Sequence, residues 1–171
     1  MKVLPILVLA LIVASCSRKT DVQLYTEGTG AHEQGNFALA AERYEEIVDR
    51  FPGTAYAESS LSHAAVMYNN DLRDMKKAAA AYQKFYHMFP ASKQAPTMMF
   101  LAAFLYNNEL HQIDSARHIY EQFLATYPAH DLAASAKFEL ANLGKDPNLT
   151  LDNQVAVGDS TPAPPKKKAR R

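Results

Sequence analysis

The chain has 171 residues, with 18 basic and 18 acidic side chains, a formal net charge of zero and a single cysteine. One cysteine excludes an intramolecular disulfide, so oxidative cross-linking does not stabilise the fold. The neutral total hides an uneven distribution, because residues 20–150 contain sixteen acidic but only ten basic side chains. An acidic body repels phosphate groups, which argues against a nucleic-acid-binding protein.

Residues 1–15 are predicted to be a signal peptide and not part of the fold. Lys2 is positively charged, and residues 3–13 form an apolar run that is too short to span a bilayer as a helix. The run is followed by Val13-Ala14-Ser15-Cys16, which resembles a bacterial lipobox. The alternative is an ordinary secretory signal that contains a cysteine by chance.

The lipobox resemblance implies cleavage before Cys16 and a covalent diacylglycerol on its thiol. Residues 16–20 are then a lipidated linker, and no other cofactor is expected. Ser17 favours sorting to the outer membrane over retention in the inner membrane, which places the protein on the periplasmic face of the outer membrane.

A repeat with a period of 38 residues organises the middle of the chain. Pairs of an aromatic residue and proline recur at this spacing, at Phe51-Pro52, Phe89-Pro90 and Tyr127-Pro128. Alanines and tyrosines follow the same step at Ala40, Ala78 and Ala116 and at Tyr44, Tyr82 and Tyr120. A fixed period of this size indicates a supersecondary unit that is copied and stacked.

Each unit is predicted to contain two helices, because apolar residues recur at steps of three and four. Gly35 and the repeated prolines break these helices. A last amphipathic helix precedes Gly144, which is predicted to terminate it. The seven predicted helices cover about 21–34, 37–50, 54–70, 74–88, 93–108, 112–126 and 130–143.

The small residues have a steric role, since antiparallel helices approach to about 8 Å only where the contact residue is small. We expect Gly28, Ala65 and Ala103 on the first helices to face Ala40, Ala78 and Ala116 on the second. The larger aromatic residues should then fill the space towards the neighbouring repeat.

This combination of small residues, an alanine followed four positions later by tyrosine, and a proline eight positions further resembles the tetratricopeptide repeat. The resemblance implies an all-α fold, an α-solenoid of three helical hairpins plus a C-terminal capping helix. The repeats cover about 21–53, 54–91 and 92–129, and the capping helix covers 130–143, all within a domain of residues 21–145. With the lipobox, the chain resembles the BamD and CpoB type of periplasmic repeat lipoproteins.

Residues 146–171 lose the periodicity and are predicted to be a disordered, proline-rich basic tail. Five positive charges end the chain, at Lys166, Lys167, Lys168, Arg170 and Arg171. One interpretation is contact with an anionic surface, and the other is a solvated tail.

The repeat resemblance also implies a partner-binding groove lined by the first helix of each hairpin. The expected groove residues are Tyr25, Thr29, His32 and Glu33 in the first repeat, Ser62, Val66, Asn69 and Asn70 in the second, and Phe100, Phe104, Asn107 and Asn108 in the third. Asparagine amides could grip a peptide backbone, because each both donates and accepts hydrogen bonds. Alternatively, the Asn pairs terminate the helices and the two phenylalanines belong to the core.

No catalytic motif is found in the sequence. The six histidines lack metal-ligand spacing and are interpreted as solvated, and clustered acids such as Glu42 and Glu45 fit a polar helix face better than acid–base chemistry. The sequence therefore predicts a non-enzymatic scaffold that binds envelope proteins or their peptide segments, and within this class a BamD-like subunit of outer-membrane protein assembly is the second interpretation. The alternatives are an accessory factor of cell-wall or Tol-Pal machinery, or a cell-wall enzyme.

Overall fold

Residues 18–145 are described by a computed structural model. The predicted signal peptide, Cys16 and the tail with its five terminal cations lie outside these residues. Within residues 18–145 the structure contains seven α-helices and no strand. They are α1 (Asp21–Glu33), α2 (Phe37–Arg50), α3 (Ala55–Asn70), α4 (Met75–Met88), α5 (Ala95–Asn108), α6 (Ile113–Thr126) and α7 (Ala133–Ala141).

The helices pack in chain order, each against the one before and the one after it. The all-α solenoid predicted from the repeat is therefore confirmed. The pairs α1–α2, α3–α4 and α5–α6 are the three hairpins, and α7 packs on α6.

Three of the helices begin at polar residues whose side chains cap free backbone N–H groups. Thr20 forms a capping box with Gln23 at the start of α1, while Asn36 and Asp74 accept hydrogen bonds from backbone N–H groups at the starts of α2 and α4. In each case the side chain accepts a hydrogen bond from a backbone N–H group that has no carbonyl partner within the helix.

The turns inside the three hairpins share one unusual backbone conformation. Gly35, Arg73 and His111 occupy the same repeat position and have φ angles of +73°, +53° and +52°. The left-handed region suits glycine but is unfavourable for arginine and histidine. The second and third hairpins therefore adopt, at some cost, a turn that the first forms with glycine.

The small residues at the hairpin contacts are buried, as the sequence predicts. Ala40, Ala78 and Ala116 have no exposed surface. A Cβ atom built on Gly28 would lie 2.9 Å from Cε1 of Tyr44, so α1 and α2 approach too closely for alanine.

The last helix is shorter than the predicted span of 130–143. Residues 130–132 form a turn, in which the N–H of Leu132 donates to Nδ1 of His130 at 3.1 Å and the N–H of Ala133 donates to the carbonyl of His130 at 2.8 Å. At the other end the chain leaves the helix at Asn142, and Gly144 adopts a φ of +74°. The predicted role of Gly144 as a stop is consistent with this backbone angle.

Lys19, just before α1, is attached to the first hairpin. Its ammonium group lies 2.6 Å from Oε2 of Glu27, and its carbonyl accepts a hydrogen bond of 2.8 Å from the guanidinium of Arg50. Arg50 also contacts the carboxylate of Glu46. The hydrogen bond from Lys19 lowers the pKa of Glu27, which keeps the carboxylate charged.

A candidate partner-binding surface

The first helices of neighbouring repeats meet through aromatic side chains. The ring of Tyr25 in α1 lies 4.7 Å from the ring of Tyr56 and 6.4 Å from that of His63, both in α3. We call the face formed by α1, α3, α5 and α7 the first-helix surface. The residues expected to line the groove are all on these helices.

A pocket of about 280 Å³ opens on this surface between the first two repeats. Its floor is the ring of Tyr44, on which the imidazole of His63 stacks at 5.4 Å with an interplanar angle of 29°. The hydroxyls of Thr29 and Tyr44 are 3.3 Å apart. The pocket is lined by Tyr25, Thr29, His32, Tyr44, His63, Val66, Met67 and Asp71.

The aromatic part of the pocket favours neutral groups. Burial lowers the pKa of His63 below its ordinary value, and the nearby His32 adds to the effect. Burial also raises the pKa of Tyr44. This part of the pocket therefore favours the neutral imidazole and phenol beside the exposed side chain of Val66, a surface suited to an apolar or aromatic group of a ligand, whereas the exposed Asp71 adds a carboxylate to the lining.

His32 and Glu33 lie at the exposed end of α1. The imidazole of His32 is 5.6 Å from the ring of Phe37, so part of its surface is used within the hairpin. Ser62 is half-buried, and its hydroxyl donates to the amide oxygen of Gln94 at 2.9 Å. Ser62 therefore ties the second repeat to the third, and its hydroxyl proton is not free for a ligand.

The asparagine pairs differ from the expected peptide-gripping arrangement. Asn107 is only 5% exposed, and its amide oxygen accepts a hydrogen bond of 3.1 Å from the N–H of Gly144. Asn108 donates to the carbonyl of Phe104 at 3.1 Å. These contacts favour the alternative for these two residues, in which their amides hold the helix end and the chain after α7 in place.

The pair in the second repeat is more accessible. Nδ2 of Asn69 donates to Oδ1 of Asn70 at 2.7 Å, and Asn70 is exposed. Among residues 18–145, the hydrogen bond to Asn70 is the one that the Asn69 side chain makes, and Asn69 is half-buried where Asn107 is buried. The amide oxygen of Asn69 therefore accepts no hydrogen bond within these residues.

The two phenylalanines of α5 have different environments. Phe100 is half-buried, with its ring 5.6 Å from Tyr120 and 6.2 Å from Phe123 in α6, so it belongs mainly to the core. Phe104 is 36% exposed and borders a second pocket of about 590 Å³. That pocket is also lined by Asn107, Asn108, Glu109, His111, Gly144 and Lys145.

Sequence reasoning did not select Tyr44, Tyr56 and His63 as site residues. The interpretation of all six histidines as solvated overlooks the stacking of His63 on Tyr44. One signal was available, since His63 lies three positions before Val66 on the same helix, a spacing that places both on one face, and Tyr44 recurs with the repeat.

The described residues also bear on membrane insertion and metal binding. Between residues 18 and 145 no helix is both long and apolar enough to cross a bilayer. In the same part of the chain no cluster of three or more His, Cys, Asp or Glu side chains is arranged to hold a metal ion.

Three stacked hairpins, small residues at each hairpin contact and pockets on the first-helix surface define a tetratricopeptide-type repeat protein. The family model described as YfiO, outer membrane lipoprotein, matches residues 17–146, about three quarters of the chain. The chain belongs to this BamD-like family of outer membrane lipoproteins. No curated protein matches the chain.

Proposed function

We propose that this protein is a lipid-anchored scaffold on the periplasmic face of the outer membrane, where it binds a peptide segment of another envelope protein during outer-membrane protein assembly. The observation that carries the proposal is the aromatic pocket of Tyr25, Tyr44 and His63 beside the exposed Val66. An exposed apolar and aromatic recess on a repeat surface is a common form of peptide site.

Membership of an outer membrane lipoprotein family supports the anchoring part of the proposal. Cys16 is the only thiol and follows the lipobox sequence. Acyl chains on this residue would hold the protein at the membrane, since each buried CH₂ contributes about 0.8 kcal/mol. Replacement Cys16→Ala should abolish labelling by a radioactive or clickable fatty acid, and labelling that persists would contradict the lipid site.

The partner-binding part is tested by photo-cross-linking in cells. A benzoylphenylalanine at Val66 should cross-link to a second protein, whereas the same group at the exposed Lys76 on α4 serves as the control. Replacement of Val66 by aspartate should weaken partner binding, because an apolar group of the partner that covers this position would remove the water from the carboxylate. Equal cross-linking from both positions would argue against a site on the first-helix surface.

The assembly role has its own readout. Cells that carry only the Val66→Asp variant should accumulate less β-barrel protein in the outer membrane, while the Lys76→Asp strain should match the wild type. A normal barrel content together with lost cross-linking would keep the scaffold role and reject assembly, which would leave the cell-wall and Tol-Pal alternatives.

A further inference from the structure

The residues on the outer side of α7 occupy the repeat positions that, in each first helix, pack against the second helix of the same hairpin. Counting back 38 residues from Ala134, Lys137, Phe138 and Ala141 gives Pro96, Met99, Phe100 and Ala103 of α5. We call these four residues of α7 the open stripe. No second helix follows α7 within residues 18–145, and all four side chains are exposed.

In α5 the equivalent residues are covered by α6. Pro96, Met99 and Ala103 are buried, and Phe100 packs its ring against Tyr120 and Phe123. In contrast, Phe138 is 51% exposed. The open stripe is therefore a surface of the type that binds a helix elsewhere in this molecule, but it has no helix on it in residues 18–145.

The opposite end of the solenoid is closed in a different way. The side of α1 that would meet a preceding repeat carries Gln23 and Glu27, in place of the buried Ser60 and Ala64 of α3. Glu27 pairs with Lys19 and with Arg43 at 3.0 Å. Terminal repeats of solenoids need such a polar outer face. The open stripe lacks one, because three of its four residues are apolar.

The sequence that follows lacks the repeat pattern of a second helix. The positions equivalent to Ala116, Tyr120 and Phe123 of α6 are Gln154, Gly158 and Thr161. They lack the small residue and both aromatic rings that α6 presents to α5, and three prolines occur in the next four residues. A fourth hairpin made by this chain would therefore lack its core.

A second copy of the chain is also a poor occupant. Pairing of two open stripes would bring the two Lys137 ammonium groups together, and neither stripe contains a carboxylate that could neutralise them.

We propose that the open stripe binds a helix from another protein, which completes a fourth hairpin in trans. The internal hairpins define its chemistry: a small residue and, four positions later, an aromatic residue, as in Ala116 and Tyr120. In the first hairpin the ring of Tyr44 lies against Gly28, the residue equivalent to Ala141, so the aromatic residue of the partner would lie against Ala141. Lys137 replaces the buried Met99, and it would be buried without a partner unless the incoming helix carries a carboxylate. The partner is thus an amphipathic helix with an acidic residue in its apolar face.

A peptide with the sequence of α6, residues 112–127, is the probe for the geometry. A hydrocarbon staple between positions 117 and 121, which are exposed in the protein, keeps it helical without covering the contact face. Fluorescence anisotropy with the full chain should show saturable binding. The Lys137→Met variant should bind this peptide several-fold more tightly than the wild type, because α6 naturally faces methionine at that position.

Matched variants locate the site. Phe138→Glu and Ala141→Leu should each weaken binding at least tenfold, by adding a buried charge and by blocking close approach. Ser135→Glu adds the same charge to the exposed face of α7 outside the stripe and should change affinity less than threefold. Absence of saturable binding to the Lys137→Met variant, or equal binding to the Phe138→Glu and Ser135→Glu variants, would overturn the proposal.

The natural occupant is read out by benzoylphenylalanine at Phe138 in cells, with sequencing of the cross-linked peptide. The proposal expects a helical segment of another protein with the small, aromatic and acidic residues described above, and loss of this product in Lys137→Glu cells. A cross-link to residues 146–171 of the same chain, or to a second copy, would overturn it. The result is independent of the Val66 experiments, since a failed pocket leaves the open stripe unchanged.

Discussion

The two ends of the solenoid use the same repeat but finish it differently. At the N-terminal end Glu27 forms ion pairs with Lys19 and Arg43, so charged groups face the solvent where another repeat would pack. At the C-terminal end Phe138, Ala134 and Ala141 are exposed in the positions of a hairpin contact. Residues at one repeat position therefore stabilise the fold only where a neighbouring helix covers them.

The largest expected change in stability comes from comparing one repeat position at the two ends of the solenoid. Leu24 is fully buried, and its equivalent in α7 is the exposed Lys137. Leu24→Ala should lower the free energy of unfolding by about 2–5 kcal/mol through loss of buried surface and the cavity that remains. Lys137→Ala should change it by less than about 0.5 kcal/mol. Urea unfolding followed by circular dichroism measures both, and similar losses would show that α7 is covered.

A second pair tests close approach of helices. Gly28→Ala should destabilise the protein by about 1–3 kcal/mol, because the new methyl group would meet the ring of Tyr44. The equivalent residue at the other end is Ala141, where enlargement to leucine should change stability by less than about 0.5 kcal/mol. The same urea titrations apply, and a stable Gly28→Ala protein would contradict the tight α1–α2 contact.

Substitutions in the hairpin turns should change stability less, and the two changes should have opposite signs. Gly35→Ala should cost about 1 kcal/mol, because the left-handed backbone is strained for alanine although nothing lies near the new Cβ atom. His111→Gly should raise stability by about 0.5–1 kcal/mol at the equivalent turn. In thermal unfolding, the melting temperature should fall for Gly35→Ala and rise for His111→Gly. Shifts of the same sign would show that the backbone angle does not determine the stability of these turns.

The smallest effect is a dependence on pH in the pocket near the N-terminal end. Because burial lowers the pKa of His63, the unfolded chain takes up its proton first as the pH falls. The contribution of His63 is complete above its unfolded pKa of about 6.5 and is lost as the pH falls towards its folded value. His63→Phe keeps an aromatic ring on Tyr44 and should flatten the decline in unfolding free energy between pH 7.5 and 5. An unchanged decline would assign it to other groups.

Much of the fold could be predicted from the sequence, because the 38-residue period carries both the helix positions and their contacts. Pro52, Pro90 and Pro128 and the repeated alanines set the hairpins, and the start and end of most helices fall within two residues of the predicted ones. The start of the last helix was less predictable, since the N–H of Leu132 donates to the side chain of His130 as the N–H of Gln94 donates to that of Ser92 one repeat earlier, and two different residue types make this turn.

The candidate site was harder to predict because it depends on which neighbour covers each residue. Asn69 and Asn107 share one repeat position, but only Asn107 is buried, under the chain at Gly144. Phe100 and Phe138 share another, and α6 covers only the first. A periodic pattern shows which positions are equivalent. It does not show which helix or chain segment buries each of them, and this differs at the ends of the array.

The attachment of Lys19 to Arg50 and Glu27 has a consequence for the distance between protein and membrane. Only three residue steps separate Lys19 from Cys16, and an extended chain covers at most about 3.6 Å per step. With acyl chains on Cys16, the first hairpin would stand within about 10 Å of the lipid headgroups. The anchor would then restrain the first hairpin most, and it would restrain α7, at the other end of the array, least.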